Sequence, residues 1–410
     1  MNILVLNAGS SSLKFRLFKI STLRPLSEPE DVIASGHVER IGQADAQLNL
    51  SFDVKRDSYQ QSVGTKSVSE LVQEIIQQFT KPLAVDQPAI SIDAVGHRIV
   101  HGGARFFEPI LIDDIVLKHI RDLTELAPLH NHSGLAGIEA VRGLLPHVHN
   151  VALFDTAFHH NLPAVAARYG LPSVLSDRLQ LRRYGFHGIS YRYVSERLSL
   201  ILKRDLTKHF NQMRMIVCHL GNGASVCAIQ NGQSIDTSMG FTPLEGLIMG
   251  SRSGDIDPGL VLHLLRAENM TPDQVDDLLN HQSGLLGLSG KSADLRELEI
   301  AASLGHQASQ LALECFAYRV RKYIGAYAAA LGGVDTLVFT GGIGQNSVLM
   351  RARICQGLSF LGLEIDEIRN NEANGKEPVA ISAGDDPMIW IVPTDEERQI
   401  AREVFLLLRK

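Results

Sequence analysis

Five charged side chains in this sequence stand among glycines and other small residues, or at the ends of apolar runs. Arg98 lies in GHRIVHGG (96–103), Arg252 in GSRSGDIDPG (250–259) and His187 in YGFHG (184–188). Asp155 ends the apolar run VALF (151–154), and Glu396 lies in PTDEE (393–397). A sixth, Lys14, follows the small polar stretch NAGSSS (7–12). Glycine lets backbone approach a ligand closely. Two arginines, a histidine, a lysine and two carboxylates suit phosphoryl transfer, where catalysis is mostly positioning and charge neutralisation. Each residue also has a structural reading. Arg252 can pair with Asp255 or Asp257, and the serines can simply satisfy turn geometry. Glu397 follows Thr394 by three and fits a capping box, so it reads as structural.

Strands and helices must carry these residues. An unbroken apolar run at 3–6 marks a strand buried on both faces, and strict alternation at 13–17 marks a half-buried one. The NAGSSS turn joins them into a hairpin whose N–H groups and hydroxyls can converge on an anion. About half the chain length later the pattern recurs: apolar MIVCHL (215–220), small-residue GNGAS (221–225), and a strand ending at the hairpin signal Asn231-Gly232. This predicts two related domains, each presenting such a hairpin to a shared cleft. In the first half, residues 20–66 read as polar and irregular with a strand-like piece at 47–54. A helix over 69–79 precedes a strand over 92–100. Helices over 115–126, closed by Pro128, and over 135–145 lead to a strand that delivers Asp155. In the second half, 307–331 is a long, largely buried helix and a candidate subunit contact. It feeds a strand at 336–339 and the TGGIG turn (340–344); a strand at 388–392 then precedes the last helix. Strands alternating with helices mean an α/β architecture with ligands beyond the strand ends.

Composition narrows the class. The 410 residues exceed one ordinary core, and 45% hydrophobic with 20% charged residues indicates a globular chain. The net charge of −6 and the absence of a basic cluster argue against a nucleic-acid surface. Cys218, Cys227, Cys315 and Cys355 lack CxxC spacing, which predicts a reducing compartment without structural zinc. No leader-like or membrane-length apolar stretch stands out, so a cytoplasmic location is expected. Three motif matches fail. GLLGLSGKS (284–292) has five residues between its P-loop glycines instead of four, and follows a predicted helix where a strand is required. GSRSG (250–254) places arginine where a nucleophile elbow needs serine. His97 and His101 have no third zinc ligand at recognisable spacing.

The chain resembles the acetate kinase family, the acyl-phosphate-forming kinases of the acetate and sugar kinase, heat-shock chaperone and actin superfamily. LVLNAGSSSLK (4–14) and GHRIVHGG match that family's two signatures. APLHN (127–131), FDTAFH (154–159), YGFHG, HLGNG (219–223), TPLEGLIMGSRSGDIDP (242–258), FTGGIG (339–344) and PTDEE agree in order along the chain. The sequence departs from the family at Gln345, where glutamate is usual, at Leu295, where phenylalanine or methionine is usual, and at His132, where proline is usual.

The resemblance implies an α/β fold of two duplicated actin-like, ribonuclease H-like domains flanking an active-site cleft. Residues 1–159 would form the first, with 397–410 packing back on it, and 160–396 the second, carrying the nucleotide and the dimer contact. It implies reversible in-line transfer from ATP to acetate, giving acetyl phosphate and ADP, with Mg²⁺ or Mn²⁺ as metal, and a homodimer. Arg98 and Arg252 would hold the carboxylate and the phosphoryl group, His187 would donate to that phosphoryl, and Asp155 would align the acyl oxygen beside the metal. Asn7 and Glu396 would position the metal. Ser12, Lys14, His219, Leu220, Gly221, Asn222 and Gly223 would meet the phosphates. Asp294, Leu295, Arg296, Gly342, Ile343, Gly344 and Asn346 would frame the adenosine. Val100, Leu129, Phe186 and Pro243 would enclose the methyl group. Propionate kinase is the alternative within the family. A non-catalytic nucleotide sensor on the same fold could dispense with Arg98, Arg252 and His187, all of which are present.

Overall fold

The computed structural model describes all residues except 10–11, 26–27, 53–57, 81–89, 126–127, 206–212 and 410, and the side chains of 59, 125, 128–130 and 203–205. The chain divides into two compact units, residues 1–160 with 395–410, and residues 161–394.

The first unit is built on an eight-stranded sheet. Its strands are β1 (Asn2–Ala8), β2 (Ser12–Lys19), β3 (Asp31–Glu39), β4 (Gln47–Phe52), β5 (Tyr59–Ser62), β6 (Ala94–Ile99), β7 (Ile110–Leu111) and β8 (His149–Phe154), ordered β5-β4-β3-β2-β1-β6-β8-β7. The segment expected to be irregular therefore carries three antiparallel strands. β4 falls on the strand-like piece expected at 47–54, whereas β3 escapes notice because it is only half-buried and its burial does not alternate cleanly. β1 pairs antiparallel with β2 and parallel with β6, which pairs parallel with β8. One face packs Leu4, Leu6, Leu13, Phe15 and Leu17 against Leu71, Val72, Ile75 and Ile76 of the helix Val68–Thr80. The helix Pro128–Leu144 begins at the proline that was expected to close the preceding one, because proline is favoured in a first helical turn. The last helix, Glu396–Leu407, packs on β1 and β6. A Cβ on Gly96 would lie 2.6 Å from Ile400 and 2.9 Å from Val404, so only glycine lets this helix sit so close.

The second unit repeats the plan. Its strands are β9 (Arg214–Leu220), β10 (Ala224–Gln230), β11 (Gln233–Thr237), β12 (Thr336–Thr340), β13 (Val379–Ala380) and β14 (Met388–Ile391), ordered β11-β10-β9-β12-β14-β13. β9 pairs antiparallel with β10 and parallel with β12, which pairs parallel with β14. The series β3-β2-β1-β6-β8 and β11-β10-β9-β12-β14 thus match in order and direction, which is the duplication expected from the two hairpins. The helix Gln307–Leu331 spans its expected residues and buries Leu313, Phe316, Val320 and Ile324 within the unit. Leu311, near the start of that helix, is 54% exposed. Among the described residues, no helix is long and apolar enough to cross a membrane, and all four cysteines are free.

Candidate active site

In the first unit, adjacent parallel strands bring Asn7, Arg98 and Asp155 to one end of the sheet: the last residues of β1, the penultimate residue of β6, and the residue after β8. That is where ligands gather in parallel α/β sheets. Arg98 Nη2 donates to Asp155 Oδ2, and Nη1 donates to Asn7 Oδ1 at 3.1 Å. The Arg98 and Asp155 side chains are 15% and 1% exposed. Asn7 Nδ2 donates to Glu396 Oε2 at 3.1 Å and to Glu397 Oε1 at 2.9 Å. Burial alone would lower the Arg98 guanidinium, but Asp155, then Glu396, more than offset it and raise its pKa.

Glu397 is a correction. The cap of the last helix is Asp395, which accepts from Arg398 N–H, while Thr394 Oγ1 is bonded to Ser190 Oγ at 2.8 Å. With no cap to close, Glu397 turns to Asn7, and Arg16 joins the cluster through Asp395 at 2.9 Å. Lys14 lies opposite Asn7 in the β1–β2 register and is exposed. It lines an open groove of about 590 Å³ with Arg16, His37, Asn49, Gln60 and Glu397. Ser12 opens β2, and its carbonyl accepts Gly9 N–H at 2.7 Å; Ser10 and Ser11 lie outside the described residues. Val100 is 7% exposed and falls just beyond β6, which spans Ala94–Ile99 where a strand over 92–100 was expected. The Leu129 side chain lies outside the described residues.

In the second unit His219 ends in β9, and Gly221, Asn222 and Gly223 form the turn to β10, closed by Gly221 N–H to Gly223 O at 3.1 Å. Leu220 is fully buried. His187 precedes the helix Gly188–Asp205 with a left-handed φ of 58°, a conformation uncommon outside glycine. Its Nδ1 is 2.9 Å from Ser225 Oγ, which is bonded in turn to Tyr191 Oη, and its ring stacks on His219 at 4.2 Å. A Cβ on Gly223 would lie 3.5 Å from His187 Nε2 and 4.0 Å from Arg252 Nη1, so the turn, the imidazole and the guanidinium converge. Arg252 Nη1 donates to Pro243 O at 3.4 Å, and burial lowers its pKa. Its loop is fastened to the turn at Gly250, whose N–H donates to Asn222 O and where a Cβ would meet Asn222 Oδ1 at 2.0 Å. Phe186 is 1% exposed.

The residues expected around adenosine are placed less tightly. Asp294 caps the helix Leu295–Ser303 and pairs with Arg296 at 2.6 Å, while Leu295 is buried. Gly342, Ile343, Gly344 and Asn346 share the short helix Gly341–Asn346, where Asn346 Nδ2 donates to Gly342 O. With its amide oxygen turned inward, Gln345 accepts from Thr394 N–H at 3.0 Å and Gly341 N–H at 3.2 Å, the acceptor role a glutamate would also fill. His132 is exposed on its helix. Sequence reasoning missed Glu397, Arg16, Ser225 and Tyr191 as site residues. Ser225 was legible only as part of a turn. Tyr191, four residues beyond His187, carried the spacing of a helical neighbour without a visible partner.

The donor set can be tested against a divalent metal. Glu396, Glu397 and Asp155 supply hard oxygens, which fit Mg²⁺ or a similar cation. Among the described residues no three His, Cys, Asp or Glu side chains converge as a complete metal-holding group. Mg²⁺ is commonly held by one or two carboxylates and completed by substrate phosphates.

The acetokinase family model matches residues 2–402. The chain is 46% identical over 410 residues to the acetate kinase of Heliobacterium modesticaldum, covering 100% of both chains. Among solved structures it is similar to the acetate kinase of Porphyromonas gingivalis, with a TM-score of 0.86 and 40% identity over 99% of each chain. It is also similar to a propionate kinase from Francisella tularensis, with a TM-score of 0.86 and 36% identity over 98% of each chain.

Proposed function

The chain belongs to the acetokinase family, and from that premise we propose that it is an acetate kinase, transferring the γ-phosphoryl group of ATP to acetate reversibly. A carboxylate oxygen forms a bond to the γ-phosphorus as the bond to the bridging oxygen of ADP breaks. Acetate is already a nucleophilic anion, so no strong base is needed. The barrier lies in bringing a carboxylate to a polyanion, and preorganised positive charge lowers it.

In this reading Arg98 holds the acetate carboxylate, and Asp155 fixes the guanidinium that does so. Arg252 binds the transferring phosphoryl group, and His187 donates to one of its oxygens. The Gly221–Gly223 turn with Asn222 meets the phosphates, along with Ser12, Lys14 and His219. The Asp294–Arg296 and Gly342–Asn346 segments frame the adenosine. Glu396 is the metal ligand. Asn7 serves it indirectly: its oxygen faces Arg98 and its Nδ2 faces the glutamates, and an N–H donor does not ligate a cation. The metal, Mg²⁺ with Mn²⁺ as substitute, supplies charge neutralisation on the phosphate oxygens. Val100, Leu129, Phe186 and Pro243 enclose the methyl group.

The observation that carries the reading is full-length similarity to named acetate kinases in a chain whose Arg98, Asp155, His187 and Arg252 are each held by specific neighbours. The similarity to a propionate kinase favours that acid as the second reading. Acyl-hydroxamate formation from ATP with acetate, propionate and butyrate tests both. Highest kcat/KM on acetate is expected, and turnover of none of the three overturns the proposal. The second unit is also the proposed dimer contact. The helix Pro258–Arg266 has no buried residue although Leu260 and Leu262 are 46% and 47% exposed, whereas the helix Gln307–Leu331 spends its apolar stripe internally. Light scattering should give twice the 44.9 kDa chain mass. The proposed location is the cytoplasm.

A further inference from the structure

His187 can donate to a phosphoryl oxygen from Nε2 only if that nitrogen carries the proton, and a neutral imidazole carries only one. We infer that Ser225 and Tyr191 are positioning residues that fix this tautomer, with Ser225 Oγ–H donating to His187 Nδ1 and leaving the proton on Nε2. The inference rests on the proposed phosphoryl transfer for its purpose, but not for its geometry.

Three observations support it. First, Nδ1 lies 2.9 Å from Ser225 Oγ, while Nε2 points toward the Gly223 backbone, where a Cβ would lie at 3.5 Å. The two nitrogens therefore face different surroundings, a hydroxyl and a glycine turn. Second, Ser225 Oγ is bonded to Tyr191 Oη, and both residues are fully buried. Burial raises the Tyr191 phenol well above its ordinary range, so it remains protonated and can donate. A chain of donors running from Tyr191 to Ser225 to Nδ1 uses each hydroxyl once as donor and once as acceptor or anchor. Run the other way, with Nδ1–H donating to Ser225, the imidazole would aim a lone pair at an anionic oxygen. Third, the ring is packed face to face on His219, whose own Nδ1 is bonded to Ser190 Oγ at 2.8 Å. Arg252 Nη1 supplies positive charge beside the same glycine. What His187 adds is a directed neutral donor, and Ser225 sets its polarity.

The test is long-range ¹H–¹⁵N correlation on the full-length chain with ¹⁵N-labelled histidine. The protein has sixteen histidines, and His187→Gln identifies the resonance by its loss. The wild-type protein should show His187 with Nε2 protonated and Nδ1 bare. Ser225→Ala should give mixed tautomers and about a tenfold lower kcat, with KM for ATP and acetate within about twofold, since the lost alignment matters most in the transition state. Tyr191→Phe should act in the same direction more weakly, and Ser225→Thr should restore the single tautomer. A wild-type His187 protonated at Nδ1 overturns the inference. So does a Ser225→Ala protein that loses turnover while its tautomer stays single, because the hydroxyl would then be acting on packing alone. Absence of acetate phosphorylation in the wild type overturns the functional reading instead, and leaves the tautomer measurement standing by itself.

Discussion

The two units share a strand plan and differ in what stands at its ends. In the first, β1, β6 and β8 deliver Asn7, Arg98 and Asp155 into a network completed by Glu396 and Glu397, so a guanidinium is enclosed by carboxylates. In the second, the corresponding ends carry imidazoles, hydroxyls and glycines, and the cation Arg252 comes from a loop. The arginines show the contrast most directly. Asp155 and Glu396 outweigh burial at Arg98 and raise its pKa, whereas burial lowers that of Arg252. A duplicated sheet therefore fixes where ligands are met, and the side chains at the strand ends decide what each copy does there.

The largest effects should come from deleting each arginine. Arg98→Ala and Arg252→Ala should each lower kcat by a factor of about 10²–10³, the loss expected for a preorganised donor on developing charge. Their stabilities should part company. Arg98→Ala removes the guanidinium bonded to Asp155, whose side chain is 1% exposed, and breaking such a buried pair costs about 3–5 kcal/mol. Arg252→Ala should melt near the wild-type temperature, because it removes a buried charge. Both expectations are checked by hydroxamate assay beside thermal unfolding. Equal destabilisation of the two variants would end the contrast between a cation raised by its carboxylates and one lowered by burial.

A second difference should appear in acid. His97, buried in β6 and bonded to Asn150 Oδ1 at 2.8 Å, has its pKa lowered to about 4 by burial. The unfolded chain takes up a proton near the ordinary histidine value while the folded one does not. Its stabilisation is thus complete above pH 6.5 and is lost as pH falls toward 4, by roughly 3 kcal/mol in total. Hydrogen exchange at pH 5 should show β6 losing protection before β12. His97→Gln should flatten that part of the stability profile, and an unchanged acid limb would remove His97 as its cause.

Much of this was legible in the sequence, and the exceptions have physical causes. Unbroken apolar runs marked β1, β9 and β12 because those strands are buried on both faces. The helix Gln307–Leu331 was readable at both ends because its periodicity is long and a left-handed Gly332 stops it. β3 was missed because it alternates weakly against solvent. At the last helix Thr394 and Asp395 are both good caps, and only the nonlocal bond from Thr394 to Ser190 decides between them. The Tyr191–Ser225–His187 chain was invisible for the same reason. It exists only once a helix start and a hairpin meet.

The glutamates sharpen the comparison at smaller scale. Glu396→Gln should raise the Mg²⁺ concentration for half-maximal turnover by about 10–100-fold, as for loss of a ligand or its close support. Glu397→Gln should raise it several-fold through Asn7, instead of acting only on thermal stability as a capping residue would. Titrating Mg²⁺ at saturating ATP separates the cases. A Glu397→Gln enzyme with normal metal dependence would return that residue to a purely structural role.

The smallest effect concerns choice of acid, where residues assigned to the methyl group differ in what else they do. Val100 is 7% exposed and lies just past the end of β6, whereas Phe186 is 1% exposed. Shortening Phe186 should therefore cost stability first, since deleting a buried aromatic ring to alanine costs about 3–5 kcal/mol. Val100→Ala removes only two methyl groups, roughly the room an added substrate methylene needs. One methylene in an apolar pocket is worth about 1–3 kcal/mol, so the ratio of kcat/KM for propionate to acetate should rise about tenfold and not without limit. The gain should fall mainly on KM for propionate, because the methyl end takes no part in charge transfer. Turnover of both acids by both proteins measures it. An unchanged ratio would detach Val100 from the pocket and leave the choice of acid to the second unit's Phe186 and Pro243.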